Sequence, residues 1–338
     1  MLKNKNYNNF FCIWLISLTV LISLIIIVGG LTRLTDSGLS ITKWELFTGL
    51  FPPMNSKDWS DYFEAYKKIP QYFLLNQGMT LSEFKFIFYW EYIHRLLARF
   101  IGIFFLIPFL FLLFTNALTK KSIFHLTTIF FLILIQGTIG WYMVKSGLID
   151  NVSVSHYRLS IHLSVAFLIL SLLFWILLNY FNKSEKKILQ FNNQYISIKI
   201  LLVLIFLQII IGAFVSGLDA GKIYQTWPLM NESYFPNDVD FNNFLNFNNA
   251  SFVQFFHRNT AYLIFFLTIY LGFNIFKKKA KNLYIIFLFF SLAILVQIVL
   301  GISVLLSGAD IYFASMHQIS SIFLIASALK LYHSSIRS

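Results

Sequence analysis

The stretch Trp90–Phe100 reads WEYIHRLLARF and places four ionisable side chains inside an otherwise apolar run. Apolar sequence continues on both sides of it, from Phe84 to Phe114, which exceeds the roughly 20 residues that a helix needs to cross a bilayer. Ionisable groups inside a membrane segment are energetically costly, so each needs a partner or a function. Any interpretation of the chain must therefore account for Glu91, His94, Arg95 and Arg99.

The composition is that of an integral membrane protein. Of the 338 residues, 58% are hydrophobic and 12% are charged, whereas about a quarter of a soluble domain is charged. Apolar runs of membrane-spanning length predict an all-α protein with eight transmembrane helices. The predicted spans are 11–33, 84–114, 123–145, 157–180, 196–217, 252–275, 283–306 and 312–331.

The basic residues predict the orientation in the membrane. Lysines precede the first span and fill the connections after the second, fourth and sixth spans, at 3–5, 120–121, 183–187 and 277–281. If the spans alternate in direction, all these segments lie on one side, which the positive-inside rule identifies as cytoplasmic. Both termini are then cytoplasmic. This pattern accounts for the net charge of +12, so no nucleic-acid partner is needed.

The chain repeats itself. DSGLSITKW (Asp36–Trp44) matches DAGKIYQTW (Asp219–Trp227), and the other matches, in the same order, are EYIHR with QFFHR and QGTIGWYMVKSG with QIVLGISVLLSG. We therefore predict two pseudo-symmetric four-helix bundles, residues 1–184 and 185–338, related as a parallel repeat.

Several helix starts can be predicted from capping residues. Thr80 with Glu83, and Ser251 with Gln254, have the spacing of a capping box, so spans two and six should begin there. Asp310 should cap span eight.

Four histidines, one on each even-numbered span, predict the chemistry; they are His94, His162, His257 and His317. Counted from the predicted outer helix starts, the last three lie about two turns in, and His94 lies deeper in a longer helix. Facing histidines on two helices of a bundle form a bis-imidazole haem site, so the pattern predicts one haem in each half. Zinc is disfavoured because neither half offers further ligands at metal-binding spacing.

Arginines on the outer ends of the spans oppose the positive-inside bias, and we interpret them as candidate partners of haem propionates. Snorkelling to lipid headgroups is the alternative. The candidates are Arg33, Arg95, Arg99, Arg158 and Arg258.

The two halves differ at one ionisable position. Glu91 lies three residues before His94, on the same helix face, and Gln254 occupies the matching position before His257. A carboxylate beside a haem can take a proton or stabilise positive charge, so we predict that the first half performs the chemistry. A plain ion pair with a neighbouring arginine is the alternative for Glu91.

The chain resembles the haem A synthase family, whose members oxidise a methyl group of haem O to the formyl group of haem A. The segments that carry the resemblance are GGLTRLTDSGLSITKW, EYIHRLLAR, QGTIGWYMVKSGL, YRLSIHL, GLDAGKIYQTWPLMN, FFHRNTAY and SGADIYFASMHQ. The single cysteine, Cys12, lies outside the outer loops. The chain is therefore similar to the proteobacterial and mitochondrial branch, which lacks the outer-loop cysteine pair.

The resemblance implies a role for each candidate residue. His257 and His317 would be the axial ligands of a resident haem b, and His94 and His162 would hold the substrate haem O beside Glu91 as acid/base. The reaction is thought to pass through successive hydroxylations, with electrons leaving to an unidentified acceptor. The resemblance also implies the bacterial inner membrane, with the haem sites towards the periplasm. A haem O synthase as donor and a homo-oligomeric state are left open.

Other classes of protein share some of these features. A dihaem b-type electron-transfer protein linked to a quinol would use the same four histidines without the asymmetric carboxylate. A transporter would place charges at the bilayer midplane, whereas here they lie in the outer half. A haem-insertion chaperone would bind haem without changing it.

Overall fold

The structure is a computed structural model that describes residues 1–45, 48–150, 152–188, 196–239 and 246–336. Within these residues eight helices are long and apolar enough to cross a membrane, which confirms the predicted all-α membrane architecture. They are α1 (Asn8–Leu34), α4 (Leu81–Phe114), α5 (Lys120–Asp150), α6 (His156–Phe181), α7 (Ile196–Gly217), α8 (Ala250–Lys277), α9 (Lys281–Leu306) and α10 (Ile311–Ser335). Two shorter helices, α2 (Ser56–Tyr66) and α3 (Pro70–Leu75), lie in the first outer loop.

The chain forms two compact units, Met1–Ile169 and Leu170–Ser338. The first holds α1 to α5 and the N-terminal half of α6, and the second holds the rest of α6 with α7 to α10. The predicted division at 184 and 185 follows the internal sequence repeat rather than compactness, and it stays a prediction.

The helix starts agree with the capping predictions at two of three positions. The Thr80 side chain accepts from the Glu83 amide, and the Glu83 carboxylate accepts from the Thr80 amide, so the predicted capping box of α4 is confirmed. Asp310 caps α10 as predicted. The prediction for span six is wrong: Asn249 caps α8, because the Ser251 hydroxyl instead donates to Asp238 at 2.6 Å.

An aromatic cluster packs the first outer loop onto the outer end of α4. Trp59 and Phe63 of α2 contact Phe88 and Phe84 of α4, both at 5.0 Å between ring centroids. The ring of Tyr66 is fully buried in the same cluster. Burying a large aromatic side chain contributes roughly 1.5–3 kcal/mol, so this loop is a packed part of the first unit.

At the opposite end of each unit, chain segments that carry basic residues lie together. In the first unit the Lys3 amide donates to the Ala117 carbonyl at 2.7 Å, which joins the N-terminal segment to the α4–α5 connection. In the second unit the Lys186 ammonium donates to the carbonyls of His333 and Ile336 at 3.0 and 2.6 Å. Within each unit these contacts bring together the segments that the charge pattern assigns to one side of the membrane.

Candidate functional site

The four candidate histidines lie at matching distances from the inner ends of their helices. His94 lies 20 residues before the last residue of α4, and the corresponding separations for His162, His257 and His317 are 19, 20 and 18 residues. At a helical rise of 1.5 Å per residue these are separations of about 27–30 Å. The apparent extra depth of His94 thus comes from the longer outer end of α4.

The first pair has the separation that a shared metal requires. The rings of His94 and His162 lie 6.5 Å apart between centroids, with their planes at 89°. Two metal–imidazole bonds of about 2 Å each, with the distance from nitrogen to ring centre added at both ends, give a span of about 6 Å. The two rings therefore fit a bis-imidazole haem iron between them.

The unpaired ring nitrogens also fit metal coordination. The buried Nδ1 atoms of His162, His257 and His317 have no hydrogen-bond partner among the described residues. Buried polar atoms in proteins are normally paired, and an unpaired imidazole nitrogen is a ligand for haem iron.

A glycine on the preceding helix faces each of the four rings. A Cβ atom added to the glycine would lie 3.1 or 3.2 Å from a ring atom, closer than ordinary van der Waals contact. The pairs are Gly29 with His94, Gly140 with His162, Gly212 with His257, and Gly301 with His317. Each ring thus packs against a helix backbone, and any larger residue at these positions would displace it.

In three of these four helix pairs a glutamine lies one turn before the glycine and contacts the histidine. Its side-chain amide donates to the histidine's own backbone carbonyl, at 3.0, 3.0 and 3.1 Å for Gln136, Gln208 and Gln297. The amide nitrogens of Gln208 and Gln297 also lie 3.2 and 3.3 Å from the Nε2 atoms of His257 and His317. All three glutamines therefore bind the helix backbone at the histidine, and Gln208 and Gln297 also contact the imidazole ring.

Glu91 is buried and fully paired. Its side chain is 2% exposed. One oxygen accepts from the Ser40 hydroxyl and the Ile41 amide, both at 2.8 Å, and the other accepts from Arg95 at 3.0 and 2.5 Å. Arg95 in turn donates to the carbonyls of Ile41 and Lys43, at 2.9 and 3.3 Å. We call this group the first corner, because it fastens the outer loop onto α4.

The second unit holds a corresponding group, the second corner. Gln254 is 3% exposed and donates to the carbonyls of Ala220 and Tyr224, at 3.0 and 3.1 Å. Arg258 donates to the carbonyls of Tyr224 and Thr226, both at 2.9 Å. In the alignment of the two outer motifs, Tyr224 and Thr226 match Ile41 and Lys43. The two arginines therefore make the same contacts, and the two corners differ in a carboxylate against an amide.

The remaining candidate arginines also have protein partners. Arg33 forms an ion pair with Asp36 at 2.8 Å. Arg99 donates to the carbonyls of Gly49 and Glu45, at 2.9 and 2.7 Å. Arg158 donates to the Ser146 hydroxyl. These contacts give the arginines a structural role in the outer loops, and their pairing with propionates stays a prediction.

The sequence interpretation missed the role of the glutamines and glycines. Gln136, Gly140, Gln297 and Gly301 served only to align the two halves. The signal that could have identified them is a third copy of the Q-x-x-x-G pattern, at Gln208–Gly212, again on the helix that precedes a histidine. The loop partners of Glu91 had no such signal, because they lie 50 and 51 residues away in the chain.

Comparison with known proteins extends the resemblance to the whole chain. A family model described as COX15-CtaA, cytochrome oxidase assembly protein, matches residues 12–329. A haem A synthase of Pelagibacter ubique is 54% identical over 333 residues, covering 96% of both chains. A haem A synthase of Bradyrhizobium diazoefficiens is 43% identical over 94% of this chain and 89% of its own. That of Rickettsia bellii is 41% identical over 93% of this chain and 94% of its own.

The matched range contains α2 to α9, most of α1 and α10, both corners and all four histidines. The chain therefore belongs to the COX15-CtaA family of cytochrome oxidase assembly proteins.

Proposed function

We propose that this protein is a haem A synthase, which oxidises a methyl group of haem O to the formyl group of haem A. The observation that carries the proposal is the His94–His162 pair, which is spaced for an iron porphyrin and whose first member shares α4 with the buried Glu91. Relatives that match the chain over nearly its full length are named haem A synthases. The oxidation removes four electrons and replaces two methyl hydrogens with one oxygen atom.

The two histidine pairs take different roles in this proposal. His94 and His162 hold the substrate haem O, and His257 and His317 hold a resident haem b. When bound, haem b supplies one-electron redox chemistry, so that it can relay electrons to an acceptor. The glutamine that binds the backbone carbonyl of each histidine and lies against its ring supports a site built for a permanently held cofactor.

Glu91 is the proposed acid/base and charge-stabilising group of the first half. Its carboxylate accepts four hydrogen-bond contacts, from Ser40, Ile41 and Arg95. A fixed negative charge one helical turn from His94 favours positive charge that develops on the substrate. The outer loop on this carboxylate also limits the access of water to it.

The proposed location is the bacterial inner membrane, with both termini in the cytoplasm and the haem sites towards the periplasm. Support comes from the basic segments that lie together at one end of each unit, and from the histidines about 27–30 Å away from that end. The lipid bilayer is then the medium for haem O. The enzyme that makes haem O, a haem O synthase, is the proposed donor of the substrate.

The decisive experiment is to express the chain with a source of haem O and to identify the extracted porphyrins by mass. The expected product is haem A, and its absence in the presence of loaded haem O would overturn the proposal. Two tightly held haems b, with haem O unchanged, would instead identify a dihaem electron-transfer protein.

The cofactor assignment has a separate test. His257→Ala and His317→Ala should each abolish the absorption spectrum of a bis-imidazole haem b. Retention of that spectrum in both variants would contradict the assignment. Replacing His333, a buried histidine at the inner end of α10 that contacts Asn179, is the matched control and should leave the spectrum in place.

A further inference from the structure

One of the four histidine positions lacks the glutamine that the other three have. The glycine that faces His94 is Gly29, and the residue one turn before it is Ile25. In the alignment of the outer motifs Ile25 matches Gln208, just as Gly29 matches Gly212. Isoleucine has no hydrogen-bond donor on its side chain, so it cannot make the contact that Gln208 makes with His257.

The contacts around His94 reflect this difference. In the other three helix pairs, a glutamine binds the backbone carbonyl of the histidine itself. Between α1 and α4 a longer hydrogen bond of 3.4 Å runs from the Thr32 hydroxyl to the carbonyl of Trp90, one turn away from His94. The helix of His94 is thus bonded to α1 one turn away, and within the described ranges no such bond is made to His94 itself.

A held ring and an unheld ring behave differently towards a metal. When the metal–nitrogen bond breaks, a ring fixed by its neighbours stays within reach and rebinds, whereas an unrestrained ring can rotate away. A resident cofactor benefits from two held ligands, because each dissociation is then reversed. A substrate that must leave as product benefits from one axial ligand that dissociates readily.

The second unit has two held ligands, at Gln208 with His257 and Gln297 with His317. In the first unit Gln136 binds the backbone carbonyl of His162, and among the described residues no glutamine contacts His94. Resting on the proposed function, we propose that His94 is the exchangeable axial ligand, the position where the iron of the substrate haem is bound last and released first. Ile25 is then a positioning residue, because its side chain has no donor that could hold His94 in place.

The test is the rate at which cyanide displaces an axial histidine from ferric haem, followed by the shift of the Soret band. Full-length protein is purified from cells that supply haem O. Each half is observed alone, in a background where the histidine pair of the other half is replaced by alanine. First-half haem should bind cyanide at least about tenfold faster than second-half haem, a difference of about 1.4 kcal/mol in barrier.

Two reciprocal variants test the role of the glutamine. Ile25→Gln should slow cyanide binding to first-half haem about tenfold, and Ile25→Leu, which adds no donor, is the matched control and should not. Gln208→Ile should speed cyanide binding to second-half haem by a similar factor. Gln208→Ile still tests the inference if the new glutamine in α1 prevents folding.

Equal cyanide rates in the two halves, or equal rates for Ile25→Gln and Ile25→Leu, would overturn the inference. Failure of the proposed function gives a different result. In that case the cyanide rates differ as expected, but extracted haem O stays unoxidised.

Discussion

The first and second corners perform the same mechanical task with different chemistry. In both, an arginine on the even-numbered helix binds two carbonyls at matching positions of an outer loop. In both, the residue four positions earlier is buried and bound to the same loop. The second corner shows that a neutral glutamine is enough to fasten a loop. A carboxylate is therefore not the only group that can fasten such a loop, and the proposed reaction gives Glu91 a second role.

The comparison also shows why Glu91 needs such complete pairing. A buried carboxylate is costly unless its charge is matched and its oxygens accept hydrogen bonds. Gln254 can donate as well as accept, and it is satisfied by two loop carbonyls and Arg258. Glu91 accepts only, so the loop presents to it an amide and a hydroxyl instead of carbonyls.

The most direct test of the difference between the corners is Glu91→Gln, which gives the first corner the glutamine and arginine of the second. We expect haem A formation to fall by about 10²–10⁴-fold, the usual contribution of a positioned acid/base. The melting temperature should also fall, because the amide group meets hydrogen-bond donors at the first corner and leaves Arg95 without its counterion. Porphyrin analysis and thermal unfolding in detergent measure the two effects.

The reciprocal change, Gln254→Glu, places a carboxylate against the carbonyls of Ala220 and Tyr224, so it should lower stability although Arg258 can pair with it. Folded Gln254→Glu protein should form haem A within a few-fold of the parent, because the first corner is unchanged. Wild-type formyl production by Glu91→Gln would mean that Glu91 serves only to hold the loop.

Replacing the arginine of each corner compares how much each one contributes to the free energy of unfolding. Arg95→Leu leaves the buried carboxylate of Glu91 without its counterion and should cost about 3–5 kcal/mol. Arg258→Leu leaves only neutral groups without a partner and should cost about 1–3 kcal/mol. Thermal or denaturant unfolding of both variants in the same detergent compares the two losses.

A double variant isolates the ionic part of that loss. Adding Glu91→Gln to Arg95→Leu removes the unpaired charge, so the double variant should be more stable than Arg95→Leu alone. If the second substitution lowers stability further, the ion pair is not the reason for the difference between the corners.

The smallest expected effect is a pH dependence in the first outer loop. Burial, together with its hydrogen bond to Glu45 at 2.8 Å, raises the pKa of Tyr62 from 10.0 to about 12. Because the folded-state pKa is the higher one, the stabilisation is complete below pH 10 and is lost as the pH rises from 10 towards 12. Tyr62→Phe should remove this part of the alkaline destabilisation, which unfolding experiments across that range measure.

Much of the fold could be predicted because hydropathy and helix length are local properties. All eight spans, and the Thr80 capping box, follow from residues close together in the chain. The start of α8 was mispredicted because Ser251 bonds to Asp238, a partner 13 residues away, and Asn249 caps the helix instead. Capping rules consider only residues near the helix start, whereas a hydrogen bond to a distant residue can engage a side chain that would otherwise cap the helix.

The candidate site was predictable to a lesser extent. The histidines repeat and so could be paired from the sequence, but the position of Glu91 relative to its loop depends on how the segment after Asp36 folds back. That segment leaves α1 through a left-handed residue, Asp36 at φ 49°, as Asp219 does after α7 at φ 50°. The reversal brings Ser40 and Ile41 onto α4, and no local pattern contains this contact.

Each of the glycines that face the rings allows the position of one imidazole to be changed by a single substitution. A methyl group at Gly29, Gly140, Gly212 or Gly301 meets a different ring at about the same close distance, and it leaves that imidazole in the protein. Alanine at one of these positions should thus weaken a single iron–nitrogen bond instead of deleting it. A set of four such proteins would reveal the order in which the two porphyrins are acquired during assembly in the living cell.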